Sequence, residues 1–137
     1  MVKIASLLWR SVVLRRLIVC TAFHVATALQ AAVLPNAEAE IGHLLSYLER
    51  SECKFFRNGR WHNGQEARAH LEKKYRYLRR RDSITTTEDF IEQVATGSRM
   101  SSQFYQVQCD GAELVPSALW LRTELIRFRQ ALSVEKP

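Results

Sequence analysis

A chain of 137 residues with 47% hydrophobic and 25% charged side chains has room for one domain and apolar material for a real core, a composition that excludes a disordered polar tract. Its formal charge of +6 comes from 20 basic and 14 acidic residues, but Lys3, Arg10, Arg15 and Arg16 lie in the first stretch, and the remainder is close to balanced. Basicity placed there has the form of a targeting signal and supplies no argument for a nucleic-acid partner.

Residues 1–31 read as a cleavable secretory signal peptide. A basic region ends at Arg15-Arg16, an apolar run extends from Leu17 to Ala28, and the small residues that follow allow cleavage after Ala28 or Ala31. A transmembrane anchor is the competing reading; it needs about 20 apolar residues, and this run is shorter and interrupted by His24. Residues 32–137 are then expected to be a single domain in the periplasm. Cleavage removes Cys20 and leaves Cys53 and Cys109, which in an oxidising compartment are expected to form one disulfide. Across so long a loop the bond contributes about 4 kcal/mol in the chain-entropy description. A metal-binding or redox-active pair would call for Cys-x-x-Cys spacing or a histidine at ligand distance, and neither is present, so no metal and no cofactor is expected.

After Leu34-Pro35-Asn36, the segment Ala37 to Ser51 places Ile41, Leu44, Leu45 and Leu48 at helical spacing, with Glu38 and Glu40 in its first turn. Aromatic residues then flank Asn58-Gly59, the dipeptide best suited to a type I′ turn, which predicts two short strands within Cys53 to Trp61. Asn63-Gly-Gln-Glu66 has the form of a capping box and opens a helix to about Arg81 with Ala67, His70, Leu71, Lys74 and Leu78 on one face. Thr85-Thr-Thr-Glu88 starts another, burying Phe90, Ile91, Val94 and Ala95 and ending at Gly97 as a C-terminal cap. Phe104 to Cys109 alternates with period two, and Asp110-Gly111 leads towards Glu113-Leu-Val115, a second hairpin. Pro116 suits the first turn of a last helix reaching about Leu132, with Leu119, Trp120, Leu125, Ile126 and Phe128 as its apolar residues. The expected fold is α+β, mainly α: about four helices with one or two short β-hairpins, a single compact domain stapled by one disulfide that ties the first hairpin to the second.

Several short motifs in this order carry a resemblance. Ala37-Glu-Ala-Glu-Ile41, Phe55 to Gly59 with Arg57-Asn58-Gly59, Ala67-Arg-Ala-His-Leu71, Lys74-Tyr75, Thr87-Glu-Asp-Phe-Ile91, Ser101 to Tyr105, Trp120-Leu121 and Glu124-Leu125 together make the chain similar to the YfeK-like family of small bacterial periplasmic proteins, domain-of-unknown-function family 5329. The resemblance spans nearly the whole mature region. It implies export and a single domain, and brings no activity, substrate or catalytic residue with it. One departure is visible: where a Ser-Gly-x-Pro-Tyr turn is expected, this chain has Ser101-Ser-Gln-Phe-Tyr105.

Three groups of residues have the makings of chemistry. Glu66, His70 and Lys74 sit four apart, so a helix stacks a carboxylate, an imidazole and an ammonium; with Ser101 brought in by the fold this would be a hydrolytic site, and without it a hydrogen-bonded histidine beside a solvated ion pair. No Gly-x-Ser-x-Gly or His-x-x-x-His pattern accompanies them. Lys73, Arg76, Arg79, Arg80 and Arg81, with Tyr75 and Tyr77 between them, form the densest basic run: either a solvated helix end complementing the dipole or a surface for lipid headgroups, cell-wall polymer or an acidic protein. Arg57, at a hairpin tip among Phe55, Phe56 and Trp61, is suited to hold a carboxylate or phosphate with fixed geometry, or to pack as surface. A ligand groove is expected where Arg57, His70, Lys74, Ser101 and Tyr105 converge. With a stapled scaffold and no assembled catalytic signature, the expected function is a non-enzymatic binding or accessory module of the cell envelope. Its partner would be an acidic small ligand, an envelope component or a periplasmic protein, and the alternatives are an envelope hydrolase using His70 and Ser101 or a protein held to anionic polymers by its basic helix.

Overall fold

The computed structural model describes residues 35–134; the expected leader, its cleavage sites and Cys20 lie outside them. In chain order the elements are α1 (Pro35–Arg50), β1 (Lys54–Arg57), β2 (Arg60–His62), α2 (Gly64–Arg79), α3 (Thr87–Phe90) running directly into a π-helical turn (Ile91–Ala95), β3 (Gln106–Gln108), β4 (Val115–Pro116) and α4 (Ser117–Val134). The mainly helical α+β fold follows the sequence expectation, with one change of topology. The two hairpins are not separate: β1 pairs with β3 as well as β2, giving a single antiparallel sheet of order β2-β1-β3-β4.

Local chemistry accounts for most of the elements. Asn58 and Gly59 have φ of 49° and 79°, as a type I′ turn requires, and set the register Arg57↔Arg60, Phe56↔Trp61, Phe55↔His62. Asn63 caps α2: its side chain accepts from the Glu66 N–H at 2.9 Å while the Glu66 carboxylate accepts from the Asn63 N–H. Pro35, expected to discourage a helix, is instead the first residue of α1, where a missing N–H removes no hydrogen bond. The cap of α3 is Thr86 rather than Thr85, with Asp89 closing the box; Thr85 adds two further hydrogen bonds to the same carboxylate oxygen.

Three expectations near the ends of elements give way to tertiary contacts. The segment after Phe90 widens into a π turn rather than continuing as α-helix, and the Thr96 hydroxyl donates to the Ile91 carbonyl at 2.9 Å. Gly97 is no left-handed cap. It bridges to Phe104, and a Cβ there would lie 2.6 Å from the Gln103 carbonyl, so glycine is needed for close approach of two backbones. Pro116 pairs with Gln106 at the sheet edge, where a missing donor is tolerated, and α4 begins one residue later.

One core joins these elements: Ile41, Leu44, Leu45 and Leu48 of α1, Leu71, Tyr75 and Leu78 of α2, Phe90, Ile91, Val94 and Ala95, Phe55 and Val107 of the sheet, and Leu121 and Leu125 of α4. Of the apolar residues named on α4, Leu125 is buried and Trp120 and Phe128 are partly buried, whereas Leu119 and Ile126 are 55% and 57% exposed and Leu121 takes the other core position. Cys53 and Cys109 are joined, 56 positions apart, at the end of the β1–β3 pair just beyond Lys54↔Gln108, so the disulfide does tie the first hairpin to the second. No helix among the described residues is long and apolar enough to cross a membrane.

Candidate functional site

The register set by Asn58-Gly59 brings Arg57, at the end of β1, and His62, at the end of β2, to the rim of a cleft against α2. Its walls are Leu48, Phe55, Phe56, Ala67 and Leu71, and His70, Tyr105 and Ser117 complete the lining. About 20 Å³ of it admits the centre of a water molecule, room for one or two waters or a small polar group. The lining contains two histidines and an arginine and no carboxylate.

His70 and Tyr105 define the floor. Nε2 of His70 and the Tyr105 hydroxyl share a hydrogen bond of 3.0 Å, and their rings meet edge to face. Burial, and after it the positive charges of Arg57, Lys74, His62 and Lys73, lower the pKa of His70 to about 4, so the ring is neutral at ordinary pH. Burial likewise raises that of Tyr105, with Arg57 acting against it.

Lys74 lies behind this floor. Its ammonium donates to the Val94 carbonyl at 3.0 Å and the Gly97 carbonyl at 2.7 Å, at the end of the π turn, and sits 5.5 Å from the centre of the Tyr105 ring. Burial, and then the charge of Arg99, lower its pKa to about 8. It holds the π turn against α2 and supports Tyr105, and it is not among the residues lining the cleft.

Of the five residues expected to converge, Arg57, His70 and Tyr105 meet in the cleft and Lys74 stands behind it, while Ser101 does not join them. Ser101 is exposed on the loop before β3 and donates to the Asn58 side chain at 3.0 Å, and no hydrogen bond links it to His70. The stacked Glu66–His70–Lys74 set does not form either. Glu66 caps α2 and lies 3.2 Å from Nδ1 of His62, while His70 and Lys74 turn to Tyr105 and to backbone carbonyls. His62 is a cleft residue that sequence reasoning missed, although counting outward from Asn58-Gly59 already placed it opposite Phe55.

The basic run is dispersed. Arg79 pairs with Glu38, Arg80 bonds the Arg76 carbonyl, and the Arg81 guanidinium lies 4.3 Å from the centre of the Tyr77 ring, leaving Lys73 and Arg76 exposed. Tyr75, one of the two tyrosines within the run, is buried edge to face against Phe90.

A second charged cluster, unseen in the sequence, lies where α1, α3 and α4 meet. Glu40, 6% exposed, accepts both Nε and Nη2 of Arg129 at 2.7 and 2.8 Å and also the Thr87 hydroxyl, and Arg129 Nη1 bonds Glu88 at 2.7 Å. The hydrogen bonds from Arg129 hold both carboxylates below the usual range. Elsewhere along the α1–α4 contact, Nε2 of His43 lies 2.8 Å from Glu124, with the ring stacked on Phe128 at 3.9 Å. Among the described residues no group of three or more His, Cys, Asp or Glu is placed to hold a metal ion.

Comparison with known proteins gives a family match over most of the described residues. Residues 35–129 match the model of a family of unknown function, DUF5329. An uncharacterised protein of Salmonella typhimurium, YfeK, is 37% identical over 91 residues, which cover 64% of this chain and 74% of that protein. No solved structure matches. The elements that build the cleft, from the first turn of α1 into α4, all fall within the matched span, and the chain belongs to the DUF5329 family.

Proposed function

We propose that this protein is an exported, non-enzymatic binding or accessory module of the cell envelope, whose ligand enters the cleft between β1, β2 and α2. The observation that carries the reading is the cleft itself: Arg57, His62, His70 and Tyr105 converge on a partly apolar recess, and no hydroxyl or thiol nucleophile is hydrogen-bonded to His70 other than the Tyr105 phenol. The hydrolytic alternative has less support, because Ser101 donates to Asn58 at the hairpin tip, makes no hydrogen bond to His70 and is not among the cleft residues. Export is supported by the tripartite leader and by an even pair of cysteines joined across the sheet.

Two measurements test the two halves of the reading. Intact mass of the protein taken from its native cells should begin after Ala28 or Ala31 and show Cys53 and Cys109 oxidised; an uncleaved amino terminus with alkylatable thiols would retire the export. Addition of envelope extract to isotopically labelled protein should shift the amides of Phe55, Ala67, His70 and Ser117 in an NMR spectrum. Shifts confined to other surfaces, or none, would remove the cleft as the ligand site.

A further inference from the structure

We propose that the cleft is a carboxylate site: Arg57 and His70 receive the –COO⁻ of a small organic acid or of a peptide C-terminus, and Phe55, Ala67 and Leu71 cover a short apolar substituent. The inference rests on the reading of this cleft as the ligand site and names what occupies it.

Charge is the first ground. Around His70 are Arg57 from β1, His62 from β2, Lys73 and Lys74 from its own helix and the neutral Tyr105 immediately before β3, while α1 and α4 contribute Leu48 and Ser117. The ion pairs among the described residues engage other arginines, and Glu66 is the one carboxylate at the rim, on His62 and 58% exposed. Arg57 is therefore half-buried in the lining without a carboxylate partner among the described residues, and an anion from outside completes it.

Shape is the second ground. A planar carboxylate matches the guanidinium fork, and its two oxygens take up about the space of two waters. Beside Arg57 the lining is apolar, and Phe55, Ala67 and Leu71 offer cover to a substituent next to the carboxylate. Burial and the surrounding cations keep His70 neutral, and a carboxylate beside it reverses that field, so binding draws a proton onto the ring.

The test is an NMR titration of the histidine-labelled, disulfide-intact protein at pH 6. The probes are 3-methylbutanoate for a free acid, N-acetyl-leucine for a peptide C-terminus, the amide of N-acetyl-leucine and inorganic phosphate. Saturable shifts of the His70 ring with the two carboxylates, little with the amide or phosphate, and a midpoint of the His70 titration raised from about 4 are expected. The stronger of the two carboxylates identifies the source. Arg57→Gln should weaken the effect about tenfold, the scale of losing a charge-assisted bidentate contact, while Arg60→Ala, at an exposed neighbouring cation, should leave it unchanged. Should Arg57→Gln fold poorly, Arg57→Lys, which keeps the charge and loses the fork, should show an intermediate loss. Equal binding of the amide, or stronger binding of phosphate, overturns the assignment. If carboxylates leave His70 untouched while envelope extract still shifts the cleft amides, the carboxylate is wrong and the binding module stands; if neither shifts them, both fall.

Discussion

Two half-buried clusters of charge lie at different seams of the fold, and they are completed in different ways. Where α1, α3 and α4 meet, Glu40 is matched by one edge of Arg129, through Nε and Nη2, and by Thr87, and the remaining Nη1 meets Glu88, so each buried charge has a partner within the chain. At the cleft between the β1–β2 hairpin and α2, Arg57 and, behind the floor, Lys74 bring positive charge towards His70, and the accommodation comes from His70 giving up its proton and Lys74 turning to carbonyls. The first arrangement is closed and holds three helices together. The second leaves Arg57 without a carboxylate partner among the described residues, and that asymmetry is why one is read as structure and the other as a site. Each of the following experiments perturbs one cluster and asks whether the other responds.

The largest effect is expected from the disulfide, which belongs to the cleft side because Cys53 leads into β1 and Cys109 follows β3. Replacing both cysteines by alanine should lower stability by about 4 kcal/mol. Hydrogen exchange should show β1 and β3 losing protection ahead of α1 and α4, since the strands are short and the bond closes their open end. Loss of protection at the same rate in both regions would mean that the two clusters do not belong to separable parts of the fold.

Next in size is Glu40→Ala. It removes the carboxylate that neutralises Arg129 and strands the Thr87 hydroxyl, and breaking such a pair from its buried side is expected to cost about 3 kcal/mol in chemical denaturation. A second change, Arg129→Met, made on top of it should recover part of that loss, because an apolar side chain then covers the recess and Glu88, which loses its partner, is 59% exposed and stays solvated. A cost below about 1 kcal/mol would place this pair with ordinary surface ion pairs and dissolve the contrast with the cleft.

Acid separates the clusters by pH. The pKa of Glu40 and Glu88 is lowered in the fold, so their contribution is present above the ordinary carboxylate value of about 4.3 and is lost only as the pH falls through the lower folded values. His70 acts in a higher window. It stays neutral in the fold down to about pH 4, whereas the unfolded chain takes up a proton near 6.5, so stability drains away as the pH falls between those values. Solvent still reaches part of the ring, and a loss of about 2 kcal/mol over the interval is expected in place of the full linkage value. His70→Gln should flatten that interval and leave the steeper loss below it intact; an unchanged slope between pH 6.5 and 4 would show that the cleft is not the source of the acid response.

What could be read in the sequence was local. Asn58-Gly59, the Asn63–Glu66 box and the spacing of Ile41, Leu44, Leu45 and Leu48 act over a few residues, and each produced the expected element. The pairing of β1 with β3 depends on chain segments about fifty residues apart, and nothing within either segment states it. The inward face of α4 was misread at Leu119 and Ile126 because they are apolar, yet its orientation is set by Leu121 and Leu125 in the core and by Glu124 and Arg129 reaching α1. The same limit governs the site: Arg57, His70 and Tyr105 were picked out as chemistry-bearing residues and do meet, while Ser101 differs because its loop, not its residue type, decides where the hydroxyl points.

That loop also gives the smallest of the expected effects. Ser102 has a φ of 52°, a left-handed conformation at the position where the resemblance to the YfeK-like family led to an expected glycine. The backbone has therefore kept the turn while the residue that relieves it has been replaced, a strain of about 1–2 kcal/mol for a side chain other than glycine, asparagine or aspartate. The strain lies on the cleft side, in the connection between the π turn held by Lys74 and the Tyr105 that floors the recess. Ser102→Gly should release it, and after subtracting the extra freedom that glycine gives the unfolded chain, about 0.4–1 kcal/mol, a net gain of about 0.5–1 kcal/mol should remain in thermal or chemical unfolding. Because no residue of the Glu40–Arg129 cluster touches this loop in the hydrogen-bond network, the gain should add to the loss in Glu40→Ala without interaction. A lower melting temperature in Ser102→Gly would mean that the serine is held there by contacts worth more than its strain, and a strongly non-additive double variant would mean that the two clusters, for all their difference in completion, are coupled through the core between them.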